Sequence, residues 1–137
     1  AAKRDLKKGR ISPAVERLIE CNILLSGVGF ESGGLALAHA IANGLTILPE
    51  CKAMHGEAVA FGLVVQLRLE RAPELDQVLE FCQRVGLPTT LAELGLGEIS
   101  DADLMSVADA AFRNERNMAN EQAKVTRQKL VQLMREA

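Results

Sequence analysis

Two histidines, His39 and His55, are the only imidazoles in a chain of 137 residues, and each stands in a short apolar setting flanked by glycine. The first lies in Phe30-Glu31-Ser32-Gly33-Gly34-Leu35-Ala36-Leu37-Ala38-His39-Ala40-Ile41. The second lies in Met54-His55-Gly56-Glu57-Ala58-Val59-Ala60-Phe61-Gly62. Neutral imidazole is the commonest side-chain ligand of protein metals. A buried imidazole also needs a partner for each nitrogen, because an unpaired buried polar group costs roughly 1–3 kcal/mol. One shared metal ion would satisfy both rings at once. Two unrelated core histidines bonded to backbone carbonyls would satisfy them separately, and residue type and spacing leave both readings open.

Other residues invite chemical roles more weakly. Glu57 follows His55 by two positions and could accept an imidazole N–H. An acid in the first turn of a helix, facing the macrodipole, is the better-supported reading of the same residue. The glycines of Gly27-x-Gly29-x-x-x-Gly33-Gly34 do not make a dinucleotide-binding loop, which should follow a strand and open a helix. Here they join two helical patterns at the wrong spacing, so no cofactor-binding residue is expected in this chain. Glycine's permissive backbone suits them to a tight bend. Cys21, Cys51 and Cys82 are odd in number and form no C-x-x-C pair, a pattern of a reducing, cytoplasmic setting rather than a disulfide framework.

The elements that must position the histidines read as helices throughout. Ser12-Pro13 is an N-cap followed by proline at the first helical position. Val15, Leu18, Ile19, Asn22 and Ile23 then repeat at helical spacing up to an expected stop at Gly27. Ser32 is placed to cap a helix carrying His39, small or apolar on every side as far as Gly44 and therefore buried. Leu45 to Met54 reads as a loop, and Gly56 to Ala72 as a second, central apolar helix. Pro73 should open another, with Leu75, Val78, Leu79, Cys82 and Val85 inward and Gly86 as terminator. Thr90-x-x-Glu93 is a capping-box pattern for a short helix. Ser100 should cap a helix with Leu104, Val107, Ala108, Ala111 and Phe112 on one face. Thr126 should cap a last helix with Leu130, Leu133 and Met134 inward, after a long polar loop from Asn114 to Lys124. No strand pattern competes, so the expected fold is all-α and a single domain, 1–137.

Composition bounds the partners. The chain is 48% apolar and 25% charged, ordinary for a globular domain. A net charge of −2 provides no electrostatic attraction to nucleic acid or an anionic membrane. With no Trp, no Tyr and four Phe, there is little for base stacking. The most apolar run, Ala58 to Val65, is too short to span a bilayer. The opening Ala1-Ala2-Lys3-Arg4-Asp5 leads into charge rather than into the apolar core of a signal peptide.

The run Leu25-Ser26-Gly27-Val28-Gly29-Phe30-Glu31-Ser32-Gly33-Gly34-Leu35, followed by Ala38-His39-Ala40-Ile41 and Asn43-Gly44-Leu45-Thr46, resembles the glycerol dehydrogenases of the iron-containing (group III) alcohol dehydrogenase superfamily. His55-Gly56-Glu57 with Val59-Ala60-Phe61-Gly62 is similar to the family's second metal segment, and the likeness continues through Gly86-Leu87-Pro88 and Asn117-Met118. The resemblance implies the C-terminal helical part of a two-domain enzyme, a dehydroquinate synthase-like helical bundle, with the N-terminal α/β cofactor domain outside this chain. It implies that His39 and His55 are two of three metal ligands, Zn²⁺ or Fe²⁺ being the ion. The third ligand, an Asp, falls in no matching position here.

The same resemblance implies NAD-dependent oxidation of glycerol, or a similar small polyol, to dihydroxyacetone, with NAD bound mainly by the missing domain. The chain alone is then expected to be inactive and to work as a homo-oligomer or in complex with the missing half. Resemblance places Phe30 and Ser32 near substrate, although Phe30 reads equally well as a core residue. One departure from the family pattern is Ala42, where a further histidine is common. The segment His55 to Ala60 is also similar to dehydroquinate synthases, but their Gly-His-x-x-Gly-His arrangement is absent around Gly34 to His39. A non-catalytic helical interaction module that retains the fold is the reading from another functional class.

Overall fold

The computed structural model describes residues 1–137 and consists of eight α-helices with no strand. The expected all-α architecture is therefore observed. The helices group into two compact units, Ala1–Gly34 and Leu35–Ala137.

The first unit holds α1 (Ala2–Lys7) and α2 (Pro13–Gly33). Its one buried charge, Asp5, organises the turn between them. The Asp5 carboxylate accepts hydrogen bonds from Arg10 Nη2 and Ser12 Oγ, both at 2.9 Å. Ser12 thus holds the N-cap position of α2 in extended conformation, with Pro13 at the first helical position, while its hydroxyl is committed to Asp5. The bonds from Ser12 and Arg10 hold the Asp5 carboxyl below its ordinary pKa, against the opposing effect of burial. A pKa depressed by folding contributes stability above the unfolded value and loses it as pH falls through the folded one. An acid titration of helicity should therefore show a step below the usual carboxylate range that Asp5→Asn removes.

α2 does not stop at Gly27. It passes through Gly27 and Gly29 and ends at Gly34, whose φ of 69° and ψ of −160° only glycine adopts readily. Interior glycines cost a helix about 1 kcal/mol each, too little to end one of 21 residues. Ser32 consequently lies in the last turn of α2 and caps nothing. Of the apolar residues at helical spacing in α2, Val15 is buried, whereas Leu18, Ile19 and Ile23 are exposed.

The second unit is built around α3 (Leu37–Leu45). This helix packs against α4 (His55–Glu70) and α6 (Asp101–Arg113), and α6 in turn against α8 (Arg127–Glu136). Leu37, Ile41, Leu45, Phe61, Leu104 and Leu130 are among the fully buried side chains at the centre. Two glycines let the helices approach to backbone contact. A Cβ at Gly44 would lie 2.6 Å from the Val107 carbonyl oxygen on α6, and one at Gly62 on α4 would overlap the Ala38 carbonyl oxygen on α3.

Seven of the nine α3 residues are buried, and the remaining two are His39 and Asn43. The helix expected to be enclosed on every side therefore keeps one polar stripe at i, i+4 open, with His39 half-buried and Asn43 exposed. Ala42 is 2% exposed and belongs to the core, so the departure from the family pattern falls on a packing position here.

The peripheral elements follow local signals in part. α5 (Leu75–Val85) ends at Gly86 in the left-handed region, as expected, but begins two residues after Pro73. Only Cys82 of its expected inward face is fully buried, and Val85 is exposed. Thr90 and Glu93 form the reciprocal capping pattern, with Glu93 N–H to Thr90 Oγ1 at 3.1 Å and Thr90 N–H to Glu93 Oε2 at 3.2 Å. It closes turns rather than a helix. The polar stretch after Asn114 contains a five-residue helix, α7 (Glu115–Ala119), capped by the Asn114 side chain.

Ser100 and Thr126 cap α6 and α8, accepting from Asp103 N–H at 3.1 Å and Lys129 N–H at 3.2 Å. Removing the first in Ser100→Ala should cost about 1 kcal/mol in a denaturant titration.

Candidate metal centre

His39 extends from the first turn of α3, and His55 is the first residue of α4. The two elements bring the rings together, with centroids 5.7 Å apart and planes inclined at 51°. That tilt is not a stacked arrangement. An imidazole nitrogen lies about 2.0–2.1 Å from zinc, which puts each ring centroid about 3.2 Å from the ion. Two rings on one tetrahedral ion then have centroids about 5 Å apart, within an ångström of the separation found. The donor chemistry also fits, since two imidazole nitrogens suit Zn²⁺ and tolerate Fe²⁺.

The rings are not enclosed. His39 is half-buried and His55 exposed, so the expectation of two buried imidazoles lacking partners does not hold. What brings them together is the meeting of two helices. Partial burial, and then the neighbouring His55, lower the pKa of His39. Both causes keep that ring in the neutral form that ligates.

Glu57 has a different duty. Its Oε2 accepts the Met54 N–H at 2.8 Å, closing the first turn of α4 and holding His55 at the helix start. No third His, Cys, Asp or Glu joins the two rings to make a three-ligand cluster. Catalytic zinc normally has three protein ligands and an open position, so these two rings alone would fall one ligand short of such a site.

A cavity of about 540 Å³ opens beside Glu57, Lys52, Gln83 and Pro88, but neither histidine lines it. It is not the metal pocket. Phe30 and Ser32 lie in the final turns of α2, in the first unit. Phe30 is 52% exposed and is not a core residue. Asn43 is the polar neighbour that the sequence reading leaves out. Its signal is nonetheless there, because His39 and Asn43 are the only polar side chains between Leu37 and Leu45.

No family model matches the chain. Whole-sequence similarity is strong. Glycerol dehydrogenase from Thermotoga maritima is 51% identical over 128 residues, covering 91% of this chain and 35% of that protein. Glycerol dehydrogenase from Citrobacter freundii is 49% identical over 128 residues, with the same coverage of each. The crystal structure of glycerol dehydrogenase from Schizosaccharomyces pombe superposes with a TM-score of 0.90 at 37% identity, over 97% of this chain and 35% of that one. The chain thus spans about a third of the length of the curated relatives it matches.

Proposed function

We propose that this chain, which belongs to the glycerol dehydrogenase family and corresponds to its C-terminal helical part, supplies His39 and His55 as two ligands of a divalent metal in an NAD-dependent polyol dehydrogenase. The observation that carries this reading is the pair of imidazoles 5.7 Å apart at the meeting of α3 and α4. Zn²⁺ is the favoured ion, with Fe²⁺ the alternative. A metal held there would supply Lewis acidity, making a substrate hydroxyl easier to deprotonate before hydride leaves for NAD.

The chain's own residues hold and orient. The neutral His39 ring donates a lone pair from a helix whose other faces are locked into the core. His55 is fixed at the start of α4 by the Glu57–Met54 bond. Phe30 and Ser32 are proposed to face the substrate, glycerol or a similar small polyol. NAD and the third, Asp ligand belong to protein outside these residues. The reaction needs that remainder, and the setting we assign is the cytoplasm. No single helix is long and apolar enough to cross a membrane.

A non-catalytic helical module is the second reading, favoured by a donor set of only two. The two separate on reconstitution. The chain should not oxidise glycerol with NAD and Zn²⁺ by itself. Co-expressed with the N-terminal remainder of a relative such as the Thermotoga maritima enzyme, it should do so, and His39→Ala should abolish the activity. Failure to reconstitute with a correctly assembled complex would favour the module.

Association is part of the proposal. Leu24, Leu25, Val28 and Phe30 on α2 are each more than half exposed, and Ile23 is 72% exposed. Exposed large apolar side chains gathered in this number on one helix mark an interaction site. We expect a homo-oligomer, or a complex with the N-terminal remainder of the family's protein, by sedimentation. A monomer across the accessible concentration range would count against it.

A further inference from the structure

Gln66 is the one polar residue in α4 between Ala58 and Leu67. Its position matters because α3 begins without a cap of its own. The N-cap residue is Ala36, which offers no side-chain acceptor. A helix start leaves its first N–H groups unsatisfied, and the N-cap side chain ordinarily accepts from the second or third of them. Here the acceptor comes from another helix. Gln66 Oε1 accepts the Ala38 N–H at 2.9 Å.

The other end of the same amide is also engaged, Nε2 donating to Glu70 Oε1 at 2.8 Å. Only one orientation of the amide satisfies an N–H on one side and a carboxylate on the other, so Glu70 fixes which atom Gln66 presents to α3. A second anchor lies one residue before α3's N-cap, where Asn120 Nδ2 donates to the Leu35 carbonyl at 2.8 Å.

Gly62 and Gln66 are one turn apart on the same face of α4, and both engage Ala38, Gly62 through its backbone approach and Gln66 through its amide. Sliding or rotating α3 along α4 would break both contacts together. His39 is the next residue in the chain, and His55 begins the helix that carries the clamp.

We propose that Gln66 is a positioning residue, capping the His39 helix from the His55 helix and thereby setting the separation of the two imidazoles. As a statement about metal binding this rests on the reading that the two rings share an ion. As a statement about ring geometry it stands without one.

The test uses the full 137-residue chain as wild type, as Gln66→Leu, and as the exchanged pair Gln66→Glu with Glu70→Gln. The exchange keeps an acceptor for Ala38 N–H and an amide beside it. In metal-free protein, NMR reads the exchange rate of the Ala38 amide and the nuclear Overhauser effect between the His39 and His55 rings. Visible absorption of added Co²⁺ reads affinity.

Gln66→Leu should speed Ala38 exchange at least tenfold, weaken the ring-to-ring effect, and lower Co²⁺ affinity by about 10-fold, the lower end of the range for losing a group that orients metal ligands, because Gln66 acts through the Ala38 backbone and not on a ring. The exchanged pair should restore all three. A folded Gln66→Leu with unchanged exchange and unchanged ring contact would overturn the inference. So would an exchanged pair that folds but restores neither, which keeps the test decisive if Gln66→Leu does not fold. Ring geometry that responds as expected in a protein whose wild type binds no Co²⁺ would support the positioning role and sink the shared metal instead.

Discussion

Gly62→Ala is expected to destabilise the protein by about 3 kcal/mol, the upper part of the range for overpacking a well-filled core. The sign is not obvious from secondary structure. In an exposed helix interior the same change gains about 1 kcal/mol, because alanine is the better helix former. At Gly62 the added methyl would overlap the Ala38 carbonyl oxygen, with further α3 backbone atoms at 3.0 and 3.1 Å. Those neighbours are main chain of a buried helix, so relief requires α3 and α4 to separate. Gly29 in α2 makes the matched comparison, since nothing lies within 4 Å of a Cβ there. Denaturant titrations should place the Gly62→Ala midpoint well below wild type and the Gly29→Ala midpoint at or slightly above it. A Gly62→Ala protein as stable as wild type would mean that α3 and α4 are not in backbone contact.

The second large effect is on metal affinity. His39→Ala and His55→Ala should each weaken Zn²⁺ binding by more than about 100-fold, because removing a ligand must exceed the 10–100-fold cost of disturbing its supporting bonds. Stability of the metal-free protein should change by less than about 1 kcal/mol in the same variants, as for other substitutions outside the core. His39 is only half-buried and His55 is exposed. Competition with a chromophoric chelator measures the first quantity and denaturation the second. Affinity that survives either substitution would place the ion elsewhere.

Features that depend on neighbouring residues in the chain are legible in the amino-acid sequence. Ser100, Thr126 and Gly86 do what their spacing implies, because a cap is decided within three or four residues; Thr90 and Glu93 form the expected reciprocal bonds, but around turns and not a helix. Glu57 belongs with them, being an acid in the first turn of its own helix. The end of α2 is harder to place, because glycine in a helix and glycine ending one look alike in sequence. Gly34 takes the positive φ that ends the helix, and Gly27 does not. α7 escapes the pattern because five residues are too few to establish a period.

The surroundings of the histidines are harder still. Apolar neighbours along the chain suggest enclosure, but enclosure depends on which side of α3 meets α4 and α6. His39 and Asn43 lie on the side left open. Gln66 is hidden for the same reason, since its partner Ala38 is 28 residues away and nothing local indicates that an amide in α4 will cap α3. The pairing of His39 with His55 follows from resemblance. The packing of α3 on α4 supplies its physical basis.

The central claim is that one ion is held by both rings. Zinc K-edge X-ray absorption on the chain loaded with one equivalent of Zn²⁺ addresses it directly, because multiple scattering from imidazole counts the rings on the metal. The account predicts two imidazoles at about 2.0–2.1 Å, the other positions filled by oxygen, and one imidazole after His39→Ala or His55→Ala. A spectrum with one imidazole or none in the wild-type protein would contradict it.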